Sequence, residues 1–248
     1  MAGHSKWKNI QHRKGLQDAK KGKIFTKLLK EITVSVKTGG ADPESNPRLR
    51  SAMIACREAN MPKDNIERAI KKANGADAQN FVEVTFEGYG PEGVAIFVEC
   101  ATDNNTRTVS NIRSYFNKYG GSLGKDGCLE FIFKRQGIFI LDNAVENVNS
   151  KIVFEDFFLE MIENQADDVQ QEGDSFFITC EVENFGTVQK ALSEKGLKVT
   201  QSQLVRTPSL YKKIEGPSLE KFQKLLSALE EDEDVQEVFH NVDFSEEE

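Results

Sequence analysis

The chain has 248 residues, 38% hydrophobic and 29% charged, which is enough for two or three domains that each bury a core. No apolar run approaches the roughly 18 residues that a membrane span needs, and no apolar stretch follows the N-terminal charges as in a secretory signal. We therefore expect a cytoplasmic protein without a membrane partner. The four cysteines form no C-x-x-C pair, so we interpret them as small core residues: Cys56, Cys100, Cys128 and Cys180.

The net charge of −8 conceals a division of the chain into a basic and an acidic part. Residues 1–75 contain 17 Lys and Arg against 7 Asp and Glu, whereas the remaining residues contain 15 against 33. Such an asymmetry points to an anionic partner for the basic part, and it keeps the acidic part away from that partner.

The basic part has the pattern of an arm followed by three helices. Residues 1–16 show no sustained helical period and hold several Gly, Ser and Asn, so they predict an extended arm. An amphipathic helix with a lysine-rich outer face is expected from near Asp18 to Gly39-Gly40. A second helix is expected from Asn46-Pro47, and a third follows with a capping box at Asp64 and Glu67. These elements define a predicted helical domain over 1–78.

The chain then changes to the two-residue period of β-strands. A hairpin is expected from Phe81 to Cys100, then a helix that ends at Gly120-Gly121, then a strand over "CLEFIF" at 128–133. A further helix, "SLEKFQKLLSAL", and a strand, "VQEVFH", come only after Pro208. We interpret 79–133 and 209–242 as one discontinuous α+β domain.

Between these pieces lies a complete β-α-β-β-α-β series, the order of a ferredoxin-like domain. We predict that residues 134–208 form this inserted domain and that 243–248 are an acidic tail. The predicted fold class is α+β and multidomain: an N-terminal helical domain plus two ferredoxin-like α+β domains, one inserted in the other.

The motifs for catalysis and for metal or nucleotide binding are weak. "GGSLGKDG" follows a helix rather than a strand and lacks the spacing of a phosphate-binding loop, and the three histidines lie near the termini without Cys or His neighbours. The acidic run "EEDED" at 230–234 is interpreted as solvated charge. Two interpretations remain for Glu99 and Asp103: they are acids in a cleft, or they are an ordinary strand-end residue and helix-cap residue. We predict no catalytic residue, no cofactor and no metal.

The basic arm and the first helix are the candidate nucleic-acid interface. Cations there interleave with the only Trp and two histidines, which offer faces for stacking on bases, and acids are nearly absent from the first 40 residues. The predicted contacts are His4, Lys6, Trp7, Lys8, His12, Arg13, Lys14, Lys20, Lys21, Lys23, Lys27 and Lys30.

Several long motifs resemble the YebC/PmpR family, which includes the mitochondrial translational activator of cytochrome oxidase. They are "MAGHSKWKNIQHRKGLQDAKKGKIFTKLLKEI", "NPRLRSAMIACREANMPKDNIERAIKKA", "EGYGPEGVAI", "TDNNTRTVSNIRSYFNKYGGSLG" and the "RTP" at 206–208. The resemblance implies three domains and a probable DNA-binding transcriptional regulator, with part of the family associated with translation on the ribosome. It also implies a secondary contact at the helix that carries Arg107 and Arg113.

Two alternatives for the partner stay open. A cationic arm with one Trp and two His suits the partly unstacked surface of folded RNA, while the family description favours DNA. The acidic domains could supply a contact to a protein or to a basic ribosomal surface. An enzymatic role is the third and weakest hypothesis, and the sequence sets no oligomeric state.

Overall fold

The computed structural model describes residues 21–76, 78–141 and 154–244. These residues fall into two compact units. Unit 1 contains the chain up to Glu31, Gln79–Lys134 and the chain from Arg206 onward; unit 2 contains Ile32–Ala78 and Arg135–Val205. The three-domain boundaries expected from the sequence remain a prediction.

The helices follow the expected order along the chain. No helix within the described ranges has the length and apolar character required to cross a membrane. Their bounds are α1 Lys21–Gly39, α2 Pro47–Glu58, α3 Lys63–Ala73, α4 Asn105–Lys118, α5 Phe154–Glu163, α6 Phe185–Glu194 and α7 Gly216–Glu231.

Within the described ranges, eight strands form two four-stranded sheets. Sheet I has the order β3-β1-β2-β8 and sheet II the order β5-β6-β4-β7. The strands are β1 Val82–Tyr89, β2 Ala95–Thr102, β3 Ser122–Leu123, β4 Phe133–Leu141, β5 Asp168–Glu172, β6 Ser175–Cys180, β7 Gln201–Pro208 and β8 Val235–His240. Helices combined with two antiparallel sheets confirm the α+β multidomain fold class.

Sheet I joins distant parts of the chain within unit 1. The last strand, β8, pairs antiparallel with β2, with Val98 opposite Val238. Helices α4 and α7 contribute Phe116, Phe222 and Leu225 to a core with the apolar residues of β2 and β8. The late strand therefore completes a sheet that begins about 150 residues earlier, as the sequence predicted.

Sheet II forms the core of unit 2. Its elements run β4-α5-β5-β6-α6-β7, the expected β-α-β-β-α-β order, and β6 pairs antiparallel with both β4 and β5. Aromatic residues fill the interior; the rings of Phe139 and Phe185, for example, stack with centroids 4.8 Å apart. Short apolar runs such as "GIFIL" and "SFFITC" predicted β4 and β6.

The strand expected over "CLEFIF" is wrong. Residues 126–132 form turns, and the strand that pairs with the other edge of β1, opposite β2, is the two-residue β3. The carboxylate of Glu87, itself buried, accepts hydrogen bonds from the backbone N–H groups of Gly127 (2.9 Å) and Leu129 (2.6 Å). The Glu87 side chain thus accepts hydrogen bonds from backbone N–H groups that would otherwise bond a neighbouring strand. Sequence periodicity does not indicate an acceptor that lies this far away in the chain.

The helix caps in unit 2 were predicted with mixed success. Asn46 caps α2 as expected: its side-chain oxygen accepts from the N–H of Leu49, and its amide nitrogen donates to the carbonyls of Ser35 and Gly40, each at 2.8 Å. The capping box at Asp64 and Glu67 is wrong, because α3 begins after Pro62 and Asp64 lies inside the first turn.

Replacing Asn46 with alanine is expected to lower the free energy of unfolding by about 2–3 kcal/mol. The change removes an N-cap, worth about 1 kcal/mol, and leaves two carbonyls near a buried position without their amide donor. Urea denaturation monitored by circular dichroism measures the change. Asn46→Asp is the matched comparison; it keeps the cap acceptor but loses the donor, so full stability in that variant would contradict the role given to the amide nitrogen.

Candidate nucleic-acid interface

Most of the predicted interface lies outside the described residues. This holds for His4, Lys6, Trp7, Lys8, His12, Arg13, Lys14 and Lys20, and for the side chain of Lys21. The described part of the set consists of Lys23, Lys27 and Lys30 on α1, together with Arg107 and Arg113 on α4.

Of the three described lysines on α1, Lys23 and Lys27 contact the C-terminal end of α7, and Lys30 contacts the turn that follows it. Lys23 Nζ donates to the carbonyl of Glu231 at 3.3 Å, and Lys27 Nζ donates to the carbonyl of Glu230 at 2.6 Å. The last carbonyls of a helix have no partner within it and lie at the negative end of its dipole. Lys23 and Lys27, one helical turn apart on α1, therefore cap the C-terminal end of α7 within unit 1.

Lys30 is enclosed and cannot reach a phosphate in this conformation. Its side chain is 9% exposed, and its ammonium donates to the carbonyls of Glu233 (2.7 Å) and Ala101 (2.9 Å) and to Asp234 Oδ1 (3.3 Å). The same ammonium lies 4.9 Å from the ring centroid of Phe81. The sequence placed Lys30 on the outer face because lysine spacing alone does not show which face meets another element.

Lys27 is also drawn into the fold, although less completely. Burial lowers the pKa of its ammonium, while the negative charges of Glu237, Glu230 and Asp232 act in the opposite direction. A cation that is already desolvated and hydrogen-bonded loses that contact when it binds a phosphate. Among the three, Lys23 is the exposed one, so it is the described lysine best placed for an external anion.

Asp234 is the centre of a buried polar cluster in unit 1. Its carboxylate accepts from Lys30, from Arg107 Nη2 at 2.7 Å and from Thr108 Oγ1 at 2.9 Å. Burial by itself raises the pKa of Asp234, but the hydrogen bonds from Arg107 and Thr108 and the charge of Lys30 outweigh it and hold the pKa below its ordinary value. The ionised carboxylate thus links α1 to the first turn of α4.

The interpretation of the acidic run at 230–234 as solvated charge is wrong for two of its members. Asp232 and Asp234 are 8% and 4% exposed. Asp232 Oδ2 accepts from the side-chain amide of Asn111 at 3.1 Å and from the hydroxyl of Tyr115 at 3.0 Å. The turn between α7 and β8 therefore uses these acids to hold α1 and α4.

Arg107 and Arg113 both remain accessible on α4. The guanidinium of Arg107 is 47% exposed even though it bonds Asp103 (2.8 Å) and Asp234, and these two partners raise its pKa further. Arg113 lies two turns further on, on the exposed side of the helix. Arg107 is held in one orientation by its acids, whereas Arg113 faces solvent.

The two acids that could have served in a cleft are engaged in ion pairs. Glu99 Oε1 accepts from Arg206 Nε at 2.8 Å, and the Arg206 guanidinium also lies over the ring of Phe97. Asp103 pairs with Arg107. Burial raises the pKa of Cys100 and Cys180 to about 12 and of Cys56 to about 11, so these thiols are neutral at physiological pH. In the described ranges, no three His, Cys, Asp or Glu side chains converge as metal ligands.

The family resemblance indicated a contact on α4 only through Arg107 and Arg113, and the sequence reasoning missed an exposed cluster of Ser, Asn and Arg on this helix. The outer side of α4 has this composition, with Ser110, Arg113, Ser114 and Asn117 at spacings of three and four residues, all exposed. The absence of Asp and Glu from all of Asn105–Lys118 was the signal that could have revealed it.

The architecture is that of an α+β multidomain protein, and its N-terminal sequence is basic; comparison with known proteins gives its family. Residues 5–76 match the family description "TACO1/YebC protein N-terminal domain", and residues 81–242 match "TACO1/YebC second and third domain". The chain belongs to the TACO1/YebC family, which confirms the resemblance seen in its motifs.

Named relatives and a solved structure agree with this membership. The chain is 47% identical over 246 residues to a probable transcriptional regulatory protein of Geobacillus kaustophilus, covering 99% of this chain and 98% of that protein. It is 46% identical over 242 residues to the probable transcriptional regulatory protein YrbC of Bacillus subtilis, covering 97% and 99%. The crystal structure of a conserved hypothetical protein, Aq1575 from Aquifex aeolicus, has a TM-score of 0.77, 40% identity and 93% coverage of both chains.

Proposed function

We propose that this protein is a cytoplasmic, non-enzymatic regulator of gene expression that binds nucleic acid, with DNA as its first partner. The observation that carries the proposal is the charge division, 17 basic against 7 acidic residues over 1–75 of a chain with net charge −8. The relatives named as probable transcriptional regulatory proteins support DNA over other polyanions.

The internal hydrogen bonds of two lysines narrow the set of cations that we propose for the interface. Because Lys27 and Lys30 are bonded within unit 1, they anchor α1 to the end of α7 rather than bind phosphate. The phosphate contacts are then left to Lys6, Lys8, Arg13, Lys14 and Lys20, with Trp7 stacking on or wedging between bases. Lys23 adds one contact at the first turn of the anchored helix.

Substituting the arm cations is expected to remove most of the salt-dependent affinity. If roughly five phosphates are neutralised, log K falls with log[salt] at a slope of about −4 on duplex DNA and about −3.5 on single strands. The variant Lys6→Glu, Lys8→Glu, Arg13→Glu, Lys14→Glu leaves Lys20 and Lys23 and should reduce the duplex slope to about −2. Fluorescence anisotropy over a range of salt concentrations measures both quantities.

The control is Lys190→Glu, Lys198→Glu, which reverses two exposed charges on unit 2. This variant should have the same affinity for nucleic acid, and the same slope of log K against log[salt], as the parent protein within experimental error. Binding by the parent that does not change between low and moderate salt would refute the electrostatic interface. An arm variant that folds normally and binds as tightly as the parent would do the same.

A second candidate function is association with ribosomal RNA in translation. It is favoured by Trp7, His4 and His12 among the arm cations, because aromatic side chains next to positive charge suit the unpaired bases of folded RNA. Crosslinking in growing cells, followed by sequencing of both nucleic acids, separates the two. Enrichment at a few promoters supports the DNA regulator, and a localised footprint on ribosomal RNA supports the translation factor.

A further inference from the structure

The exposed face of α4 differs in charge from the surface of unit 1 around it. Over residues 79–134 and 206–244, acidic residues outnumber basic ones by 16 to 10. Helix α4 nevertheless contains two arginines, one lysine and no acid. Soluble surfaces ordinarily mix both signs of charge, so a helix without acids in an acidic region favours a polyanionic partner.

The orientation of this face is fixed by the opposite side of the helix. Thr108, Ile112 and Phe116 are fully buried in unit 1. The exposed residues include short donors and acceptors and two cations, of which Lys118 lies over the ring of Tyr119 at 5.2 Å: Thr106, Ser110, Arg113, Ser114, Asn117 and Lys118. Hydroxyl, amide and cationic groups are the types that contact nucleic-acid phosphates and sugars.

One flank of α4 is occupied, which limits the shape of the partner. Asn111 and Tyr115 bond Asp232 in the turn after α7, and α4 packs beside α7 over sheet I. The major groove of B-DNA, about 12 Å wide and 8.5 Å deep, accommodates a whole helix, whereas α4 offers a partner only its outer side. The minor groove of an A-form RNA helix is wide and shallow and displays the 2′-hydroxyls.

The hydrogen bond that a serine of this face makes leaves its hydroxyl oxygen able to accept from a ribose sugar. The hydroxyl of Ser110 donates to the carbonyl of Thr106 at 2.9 Å, so its oxygen remains an acceptor toward solvent. A ribose 2′-OH can donate to such an oxygen, and deoxyribose cannot. The uncharged residues on this face therefore have a chemical means to distinguish RNA from DNA.

We propose that the exposed face of α4 binds double-helical RNA across its minor groove. Arg113 and Lys118 contact phosphates on the two sides, and Ser110, Ser114 and Asn117 contact 2′-hydroxyls. This inference rests on the proposed function in requiring that the protein binds nucleic acid, and it adds a second, RNA-selective surface to the arm.

The test uses the full chain with an RNA duplex and a DNA duplex of the same sequence, each about 20 base pairs long. The variant Ser110→Ala, Ser114→Ala, Asn117→Ala removes the polar groups without a change in charge, and alanine is favourable at exposed helical positions. Its Kd for RNA should rise about tenfold, with less than a twofold change for DNA. The variant Arg113→Glu, Lys118→Glu should weaken RNA binding and reduce the salt slope by about 2.

The pair Lys190→Glu, Lys198→Glu carries the same change of charge on unit 2 and should bind RNA as the parent does. Equal losses on RNA and DNA in the alanine variant, or unchanged RNA binding in both α4 variants, would overturn this inference while leaving the arm interface intact. A parent protein that binds neither duplex would overturn the proposed function and this inference together. Circular dichroism confirms that each variant is folded.

Discussion

Replacing Asp234 with alanine is expected to lower the free energy of unfolding by about 3–5 kcal/mol. The substitution leaves the Lys30 ammonium buried at 9% exposure without its carboxylate partner, and it removes one of the acceptors near the Thr108 hydroxyl. Removing one member of a buried ion pair costs more than the pair contributes, because the remaining charge has been taken out of water.

Urea denaturation of the full chain measures this loss. Asp103→Ala is the matched control: it removes the exposed acid that also bonds Arg107, and exposed pairs contribute only about 0–1 kcal/mol. Equal effects of the two substitutions would contradict the central position of Asp234. Lys30→Met, combined with Asp234→Ala, should recover part of the loss, since no buried charge then remains unpaired.

The stabilisation by Asp234 is also expected to depend on pH with a definite sign. Its pKa in the folded protein lies below the ordinary value of 3.8, so the folded state favours the ionised form. The contribution is therefore complete above pH 3.8 and is lost as the pH falls through the lower folded value. The difference in unfolding free energy between the parent and Asp234→Asn should narrow in that acidic range and stay constant from pH 5 to 7.

Replacing Phe116 with alanine is expected to cost about 3–5 kcal/mol, the second large effect. The ring is fully buried in unit 1 against glycines of β1 and the loop before β3. A Cβ on Gly88 would lie 2.7 Å from Cε1 of this ring, and a Cβ on Gly121 would lie 3.1 Å from its Cδ1. Glycine backbone this close to the ring leaves no side chain there that could move into the cavity.

Thermal and urea unfolding measure the cost. Ile112→Val is the control, one turn earlier on the same buried side of α4, and should cost about 0.5–1.5 kcal/mol. Since Phe116 holds α4 on sheet I, the same substitution should also weaken RNA binding by the outer face. A Phe116→Ala protein with parental stability would show that α4 is held by other contacts.

The local elements were predictable because their signals are local. The apolar spacing of α1 and its Gly39-Gly40 end, the Asn46-Pro47 start of α2, and the alternation of β1 each lie within a few residues of what they specify. The strand over "CLEFIF" failed for the opposite reason. Its backbone donors bond Glu87, which is some 40 residues away in the chain.

The residues of the candidate interface were likewise predictable from the sequence only in part. The excess of cations over residues 1–75 is a property of composition, and the arm residues follow from it directly. The partners of Lys23 and Lys27 lie more than 200 residues later, at the end of α7, and Lys30 bonds both the turn after α7 and Ala101. A lysine that caps a distant helix and a lysine that faces solvent have the same local pattern.

The sequence by itself determined the family, the α+β class, the order of the elements and the electrostatic division of this protein, because each depends on residue types and short-range spacing. Only the tertiary structure decided that Asp232 and Asp234 are buried acceptors, that Lys30 is enclosed, and that the acid-free side of α4 faces outward. Burial and charge pairing depend on which elements meet. The free energy of a buried charge is therefore set by side chains that lie far apart in the chain.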